Sequence, residues 1–383
     1  MHRRTFLSSA GLATLGFTVQ GCATWSTVAG VPRLRLPVVR ASWDRVIRTT
    51  VGLRPHRDGG FVVRTEKQDD KVLVHNYGHG GSGMSLSWGT GAMAADLALQ
   101  QPGRRAAVLG CGAVGLTAAR QLQRRGFDVT IYATAVPPDV TSNWSLAGFT
   151  PTSGLIEPER RTAEFDAQYR QAVDIAYRQL QLLAGAGYGV SWIEQFAPMN
   201  EPPQNRPTSE QSPLDEFQPP SQLLGPGEHP FPTKYATRRA SMRIEPSIYL
   251  EALIRDFRNA GGHIVIRKFD TPRDLMLLAE PLIVNCTGLG SRDLFNDQDM
   301  TPVKGQLTLL VPQPEIAYQT SGGINVPSTP GIGIHMMPRS DGIALGGTSI
   351  RDDWSTTVNE IERQRIVDAH IDLFDRMRGV RRT

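Results

Sequence analysis

Residues 106–115 read AAVLGCGAVG, a short apolar run followed at once by three closely spaced glycines. Gly110, Gly112 and Gly115 fit the pattern G-x-G-x-x-G, which indicates dinucleotide binding only where it joins a strand to a helix. The first glycine permits a tight turn, the second lets the backbone approach a pyrophosphate, and the third allows close helix–strand packing. The stretch therefore predicts a dinucleotide at the N-terminus of the next helix. A turn that serves packing alone is the alternative.

The surroundings of this turn predict a βαβ unit, with a strand over 106–109, a helix over 113–125 and a strand over 127–133. An acidic residue usually ends the second strand and binds the ribose hydroxyls. Here Thr134 stands at that point, and no Asp or Glu occurs before Asp139. The turn alone therefore leaves both NAD and FAD open.

Apolar periodicity predicts further elements on both sides of the unit. Strands are expected at 61–65, 71–76, 263–268, 282–285, 303–310 and 342–346. Helices are expected at 85–99, 163–184, 249–260 and 360–377. The stretch 198–232 is rich in Pro, Gln and Ser and is expected to be irregular.

Composition describes an ordinary globular protein, with 40% hydrophobic and 20% charged residues among 383. The net charge of +4 is small, and the basic residues are scattered, which argues against nucleic-acid binding. Beyond the first segment only Cys111 and Cys286 remain, too few for a disulfide framework. No metal-ligand spacing occurs, so no metal is predicted.

The first 22 residues predict an export signal. Arg3-Arg4-Thr5-Phe6-Leu7 is a twin-arginine pattern, and the apolar run 10–19 that follows is too short to span a bilayer. Residues 19–22 read VQGC and resemble a lipobox with Cys22 as the lipidated residue, although Gln20 is unusual there. We expect a periplasmic or exported protein, either anchored to a membrane through Cys22 or released by plain cleavage. The third alternative is that residues 1–22 form an ordinary N-terminal helix of a cytoplasmic protein.

Residues 75–89 read HNYGHGGSGMSLSWG and closely resemble the signature of D-amino-acid and D-aspartate oxidases. Residues 51–57, VGLRPHR, resemble the segment of that family that carries the substrate arginine. Residues 285–292 and 302–306 resemble two further family blocks. The resemblance extends from about Arg48 to the C-terminus and is poor in the irregular stretch 198–232.

The order of these blocks differs from the family, in which the dinucleotide strand opens the chain and the arginine and histidine–glycine blocks close it. Here those two blocks come first, so the resemblance implies a circular permutation with the helix 85–99 as the new connection. The implied fold class is α/β, with a Rossmann-like FAD-binding domain and a sheet-based (α+β) substrate domain. The expected division is a signal at 1–22, an FAD domain at 48–154 and 243–302, a substrate domain at 155–242 and 303–354, and a C-terminal helix at 355–383.

The resemblance assigns roles to individual residues. Arg54 would hold the substrate carboxylate as a two-pronged donor, and the backbone carbonyl of Gly81 would accept a hydrogen bond from the substrate amine. The substrate Cα–H would then point at flavin N5 for hydride transfer, followed by reoxidation with O₂ to H₂O₂ and release of a 2-oxo acid and ammonia. His75 is expected to be structural. The expected FAD-binding residues are His79, Gly80, Gly81, Ser82, Gly83, Met84, Ser85, Gly110, Gly112, Ala113, Val114, Gly115, Thr134, Thr141 and Ser142.

The sequence departs from the family in the substrate pocket, where two tyrosines are replaced by Gly331 and His335. We include His335 as a polar pocket group, with a solvent-facing loop histidine as the alternative. The segment 144–149 is also bulkier than its counterpart in the family. Three other functions stay open: a flavin dehydrogenase of another amine or amino acid with a different electron acceptor, a NAD-dependent dehydrogenase, and an FAD-binding lipoprotein without turnover.

Overall fold

The computed structural model describes residues 34–146, 148–203, 217–322 and 333–379. The predicted signal with Cys22 lies outside the described residues, and so does Gly331. Among the described residues, no helix has both the length and the apolar character that crossing a membrane requires.

Strands and helices are numbered in chain order. The strands are β1 (Val46–Arg57), β2 (Val62–Gln68), β3 (Lys71–Tyr77), β4 (Arg105–Leu109), β5 (Asp128–Ala133), β6 (Val190–Met199), β7 (Gln222–Leu224), β8 (Tyr235–Ile244), β9 (His263–Ile266), β10 (Leu282–Asn285), β11 (Met300–Leu310), β12 (Tyr318–Thr320), β13 (His335–Arg339), β14 (Gly342–Gly346) and β15 (Ile350–Arg351). The α-helices are α1 (Gly83–Leu99), α2 (Ala113–Arg124), α3 (Ala163–Leu183), α4 (Pro246–Asn259), α5 (Pro272–Met276), α6 (Gly290–Leu294) and α7 (Glu360–Met377).

A six-stranded sheet in the order β2-β3-β10-β4-β5-β9 forms the first layer. From β3 to β9 all neighbours are parallel, and only the edge strand β2 is antiparallel. Side chains of β4 alternate between its faces. Ala106 and Val108 join a core with α1 to α4, whereas Ala107 and Leu109 pack against α5 on the other side. Burial on both faces explains why these parallel strands are continuously apolar.

A nine-stranded sheet in the order β1-β11-β14-β13-β12-β6-β8-β7, with β15 beside β11, forms the second layer. Its pairs are antiparallel except β12 with β6. Ile366 and Phe374 on α7 pack with residues of this sheet in a separate apolar core. One parallel α/β layer beside a sheet-based layer is the fold class that the sequence predicts.

Two segments lie elsewhere than the expected division of the chain placed them. Most of strand β1 (Val46–Arg57) lies in the segment 48–154 assigned to the FAD domain, yet the strand pairs along its length with β11 of the nine-stranded sheet. Helix α3 falls in the segment 155–242 assigned to the substrate domain, yet Tyr169 and Val173 belong to the core of the six-stranded sheet. Periodicity predicts an amphipathic face but not the partner that the face will cover.

Candidate functional site

A cavity of about 740 Å³ opens where the two sheets meet. On one side it is lined by the residues that follow the carboxyl ends of β3, β4, β5 and β10, among them Gly78, Gly110, Thr134 and Cys286. Ligands of parallel α/β sheets bind at this edge. On the other side residues of β1, β11, β12 and β13 line the cavity. All fifteen residues predicted to bind FAD except Ser82 and Ser85 line it, and so do Arg54 and His335.

The glycine turn has the geometry that its sequence predicts. Gly110 has a φ of +104°, a backbone conformation that residues other than glycine rarely adopt. Its N–H donates to the Tyr132 carbonyl at 2.8 Å. A Cβ at Gly115 would lie 2.0 Å from the Gly110 carbonyl oxygen, so only glycine lets α2 start so close to β4. Ser142 Oγ accepts a hydrogen bond from the N–H of Ala113 at 3.0 Å. The turn and Thr141–Ser142 thus meet at the N-terminus of α2, where the helix dipole favours a phosphate.

The histidine–glycine block forms a short 3₁₀ turn, Gly80–Ser82, between β3 and α1. The N–H of Gly81 and the hydroxyl of Ser82 both donate to the Ser153 carbonyl, each at 2.9 Å. The Ser85 hydroxyl accepts a hydrogen bond from the N–H of Thr150 at 2.8 Å. The hydroxyls of Ser82 and Ser85 therefore hold the loop 150–154 against the turn, and the turn faces the cavity with its glycines.

His79 lines the cavity, but its ring bonds within the protein. Its Nε2 lies 2.9 Å from Thr90 Oγ1, and the ring stacks on Phe61. Burial lowers the pKa of His79 to about 3, so the ring is neutral at ordinary pH. His75 is structural, as expected: its Nδ1 is 3.1 Å from Asn285 Nδ2, and Tyr77 and Phe295 contact its ring edge-on.

Arg54 is a partly buried cation beside the cavity. Its Nη2 donates to the Thr348 carbonyl at 3.3 Å, and the guanidinium lies over Gly305, where a Cβ would be 2.5 Å from Nη2. Burial lowers the pKa of Arg54, and no carboxylate among the described residues forms an ion pair with it. Arg57 on the same strand differs, since its guanidinium pairs with Asp297 and Asp299 at 2.9 and 3.3 Å.

His335 begins β13 and lines the same cavity as Arg54. Burial, and then the charge of Arg54, lower the pKa of His335 to about 4. The ring is therefore neutral near pH 7, with one nitrogen that donates and one that accepts a hydrogen bond. The alternative, in which His335 is a loop histidine that faces solvent, is therefore wrong.

Sequence reasoning missed one part of the cavity wall, which β6, β8 and β12 supply. Gln319 Nε2 donates to Gln195 Oε1 at 3.1 Å, and Arg239 Nε donates to the same oxygen at 3.3 Å. Arg239 also donates to Gln218 Oε1. Strands β6 and β8 were not predicted, so no periodic signal pointed to these side chains.

Sequence spacing predicts no metal ligands, and one described cluster of ligand types occurs outside the cavity wall. His56 Nε2 lies 3.0 Å from a Glu157 oxygen and 3.5 Å from Asp58 Oδ1. The guanidinium of Arg351 bonds both carboxylates, at 2.6 Å in the case of Asp58. Because a cation of the protein already compensates both acids, the cluster is an ion-pair network.

The cavity has a glycine turn at a helix N-terminus at one end, which suits a dinucleotide, and a polar pocket against the second sheet at the other. The profile of the DAO family, described as FAD dependent oxidoreductase, matches residues 31–97 and 105–383. The chain belongs to this family, and it is an enzyme that uses FAD. Gly80, Gly110 and Gly115 line the cavity, and a Cβ at any of them would clash with neighbouring backbone, so these close turns fit a cofactor held by main chain.

Curated relatives agree with this assignment, and one solved structure has a similar fold. A D-amino acid oxidase of Dugesia ryukyuensis is 28% identical over 273 residues, which cover 68% of this chain and 75% of the relative. A D-amino-acid oxidase of Rubrobacter xylanophilus is 28% identical over 277 residues, 72% of this chain and 79% of the relative. The structure of glycine oxidase from Bacillus cereus superimposes with a TM-score of 0.51 at 15% identity, covering 72% of this chain and 80% of that one. This last likeness supports the fold.

Proposed function

We propose that the protein oxidises a D-amino acid to the imino acid, which hydrolyses to a 2-oxo acid and ammonia, while O₂ is reduced to H₂O₂. The observation that carries this proposal is Arg54, a partly buried guanidinium without a carboxylate partner among the described residues, in the cavity that holds the glycine turn. Two relatives named D-amino acid oxidase add support.

Arg54 suits a substrate carboxylate on energetic grounds. A buried charge without a partner is unfavourable, and an entering carboxylate would supply that partner. The planar guanidinium presents two parallel N–H donors that match both carboxylate oxygens, which fixes the direction of the substrate as well as its position. The amine would then lie towards the turn Gly80–Ser82, where the Gly81 carbonyl is the proposed acceptor.

His335 takes the place of a pocket tyrosine and is proposed as a neutral polar contact. Because its pKa is about 4, it adds no charge to the pocket above that pH and does not repel the substrate amine. Bound FAD supplies the hydride acceptor. The chain itself contributes position and exclusion of water, and no side-chain base is required if the amine enters neutral.

We also propose that the chain is circularly permuted relative to its family. The family match is interrupted between residues 97 and 105, at the end of α1 and just before β4, which is the junction that the permutation requires.

From residues 1–22 we also propose export by a twin-arginine route, with Cys22 as the lipid anchor.

The test of the proposed reaction is a coupled assay on the purified holoenzyme with a panel of D-amino acids. We expect oxygen consumption, peroxide and ammonia in equal amounts, with a 2-oxo acid as product. Turnover that requires an artificial dye and forms no peroxide would favour a dehydrogenase with another acceptor. Absence of both oxygen consumption and dye reduction with every D-amino acid would count against a D-amino-acid substrate.

A further inference from the structure

We infer that His56 is a positioning residue of the active site, which fixes the turn Gly80–Ser82 through the loop 150–154. The Gly81 carbonyl of this turn is the proposed acceptor for the substrate amine, so the kinetic part of the inference rests on the proposed amino-acid oxidation. Its cofactor part needs only bound FAD. His56 follows Arg54 by two residues on β1, and the pairing with β11 is regular there, so both side chains project from the same face of the strand.

The ring of His56 is buried, with 4% of the residue exposed, and its two nitrogens face different partners. Nδ1 lies 3.0 Å from the Gly154 carbonyl oxygen. Because a carbonyl oxygen only accepts hydrogen bonds, Nδ1 is the donor of this pair. At the other edge of the ring, Nε2 lies 3.0 Å from Glu157 Oε1 and 3.5 Å from Asp58 Oδ1. One edge of the ring thus faces two acids, while the other donates to the loop.

Arg351 fixes the acidic partners of His56. Its guanidinium bonds both Glu157 and Asp58. The Glu157 N–H also donates to the Asp58 carbonyl at 3.1 Å, so the two acids are joined through their main chain. The pKa of Glu157 is lowered, first by its hydrogen bond with Arg351 and then by the charges of Arg351 and His56. These acids therefore orient the ring with Nδ1 towards the loop.

Two adjacent carbonyls of the loop, those of Ser153 and Gly154, contact the flavin-side turn. The Ser153 carbonyl accepts the two hydrogen bonds from the turn that are described above. The Gly154 carbonyl packs so closely against Gly80 that a Cβ there would lie 1.7 Å from its oxygen. His56 is the side-chain donor to this second carbonyl. Without that donor, packing alone would set the position of Gly154 against the turn.

The strand around His56 has pairing that does not depend on its ring. The backbones of His56 and His79 form an antiparallel bridge, and the residues on either side of His56 pair with β11. Loss of the ring should therefore displace the turn slightly rather than unfold it. Hydride transfer is sensitive to such displacements, since a misplacement of about 1 Å can cost roughly a hundredfold in rate.

The experiment compares two amide replacements of His56 in the holoenzyme. The amide of asparagine ends near the position of Nδ1 and keeps a donor for Gly154, whereas that of glutamine ends near Nε2 and does not. Under anaerobic conditions and at saturating D-amino acid, the rate constant of flavin bleaching should fall at least about tenfold in His56→Gln. In His56→Asn it should recover to within about threefold of the wild-type value.

The substrate concentration for half-maximal bleaching separates positioning from substrate binding. It should stay within about threefold of the wild-type value in both variants, because Arg54 still binds the carboxylate. His263→Gln provides the matched control, since this histidine is exposed on β9, and it should react like the wild type. If His56→Gln yields no folded protein, Ser82→Ala tests the same path, because it removes one bond between loop and turn and should slow bleaching in the same way.

Binding of FAD gives a measurement without turnover. Titration of the apoprotein with FAD, followed by flavin fluorescence, should show at least about threefold weaker binding in His56→Gln and wild-type affinity in His56→Asn. Equal behaviour of the two variants in both measurements would overturn the inference, because the bond to Gly154 would then play no part. Wild-type bleaching in Ser82→Ala would overturn it as well. Failure of every D-amino acid to bleach the flavin would overturn the proposed function, whereas the FAD titration would still report on His56.

Discussion

Arg54 and His335 face one cavity from two strands of the nine-stranded sheet, and the positive charge of Arg54 helps to lower the pKa of His335 to about 4. The histidine is therefore neutral where the arginine is charged. This pairing leaves a single positive charge at that end of the cavity, which is the arrangement that a substrate with one α-carboxylate requires.

Replacement of Arg54 by alanine should raise KM for the best D-amino acid at least about tenfold, because the substrate carboxylate loses a charged two-pronged partner worth roughly 1.5–3 kcal/mol. Arg54→Lys should recover only part of the loss, since an ammonium lacks the planar fork. Steady-state kinetics decide the matter. FAD content should stay at the wild-type level, because Arg54 is assigned to the substrate.

Arg40 provides the control for this series, as an exposed arginine that pairs with Glu315 at 2.7 Å. Arg40→Ala should leave KM unchanged. An unchanged KM in Arg54→Ala would show that the carboxylate role is wrong and that an amine without a carboxylate is the better substrate.

The stability of the holoenzyme should fall as the pH drops from about 6.5 towards 4. Burial is the main cause that lowers the pKa of His75, His335 and His370 to about 4 and that of His79 to about 3. Between those values and 6.5 the unfolded chain binds protons that the folded protein excludes, so each histidine costs up to about 1.4 kcal/mol per pH unit. Above pH 6.5 both states are neutral, and the effect vanishes.

Urea unfolding at pH 7.0 and 5.5 measures this dependence. His370→Gln should make the free energy of unfolding less dependent on pH, whereas the exposed His263→Gln should not. A free energy that is the same at both pH values would contradict the assignment of these histidines as neutral.

The flavin should be bound without a covalent link, one per chain. Glycines and main chain line the described cavity at Gly80, Gly81, Gly83 and Gly110–Gly115, where we expect the cofactor to be held by backbone contacts. Acid precipitation should therefore release FAD into the supernatant in a one-to-one ratio with protein. Yellow colour that stays in the pellet would contradict this prediction.

Export should depend on the paired arginines near the N-terminus. The double variant Arg3→Lys, Arg4→Lys should keep the protein in the cytoplasm of a bacterial host, because the pair is the recognition element of a twin-arginine signal. Cys22→Ser should release the exported protein from the membrane if the cysteine is lipidated. Fractionation measures both, and normal export of the double lysine variant would rule out the twin-arginine route.

The six-stranded layer could be predicted well from the sequence for two reasons. Its strands are buried on both faces and are therefore continuously apolar, and its glycine turn is recognised from neighbouring residues alone. The helix 113–125 and the strand 127–133 agree with α2 and β5 to within one residue at each end. The helix 360–377 agrees with α7 at both ends, where Asn359 caps the first turn by accepting from Glu362 N–H. Capping residues and apolar periodicity are properties of neighbouring residues, so they can be recognised without knowing which distant residues an element contacts.

The nine-stranded layer was predicted only in part, for a physical reason visible in β8. Its sequence YATRRASMRI contains three arginines. Because they are polar at both odd and even positions, the strand lacks the regular alternation of apolar and polar residues by which a strand is predicted. The structure pairs two of them with acids, Arg238 with Glu194 on the neighbouring strand β6 and Arg243 with Glu245 just after β8. The third, Arg239, is the cavity residue that sequence reasoning missed. Pairing with residues distant in sequence decided this strand, and periodicity cannot detect it.

The most direct test of the central claim is anaerobic mixing of the yellow holoenzyme with D- and L-amino acids. The account predicts that at least one D-amino acid bleaches the visible flavin absorbance, that its L-enantiomer does not, and that Arg54→Ala needs at least about tenfold more substrate for half-maximal bleaching. Bleaching by amines without a carboxylate, at equal concentrations in wild type and Arg54→Ala, together with no response to any D-amino acid, would contradict it.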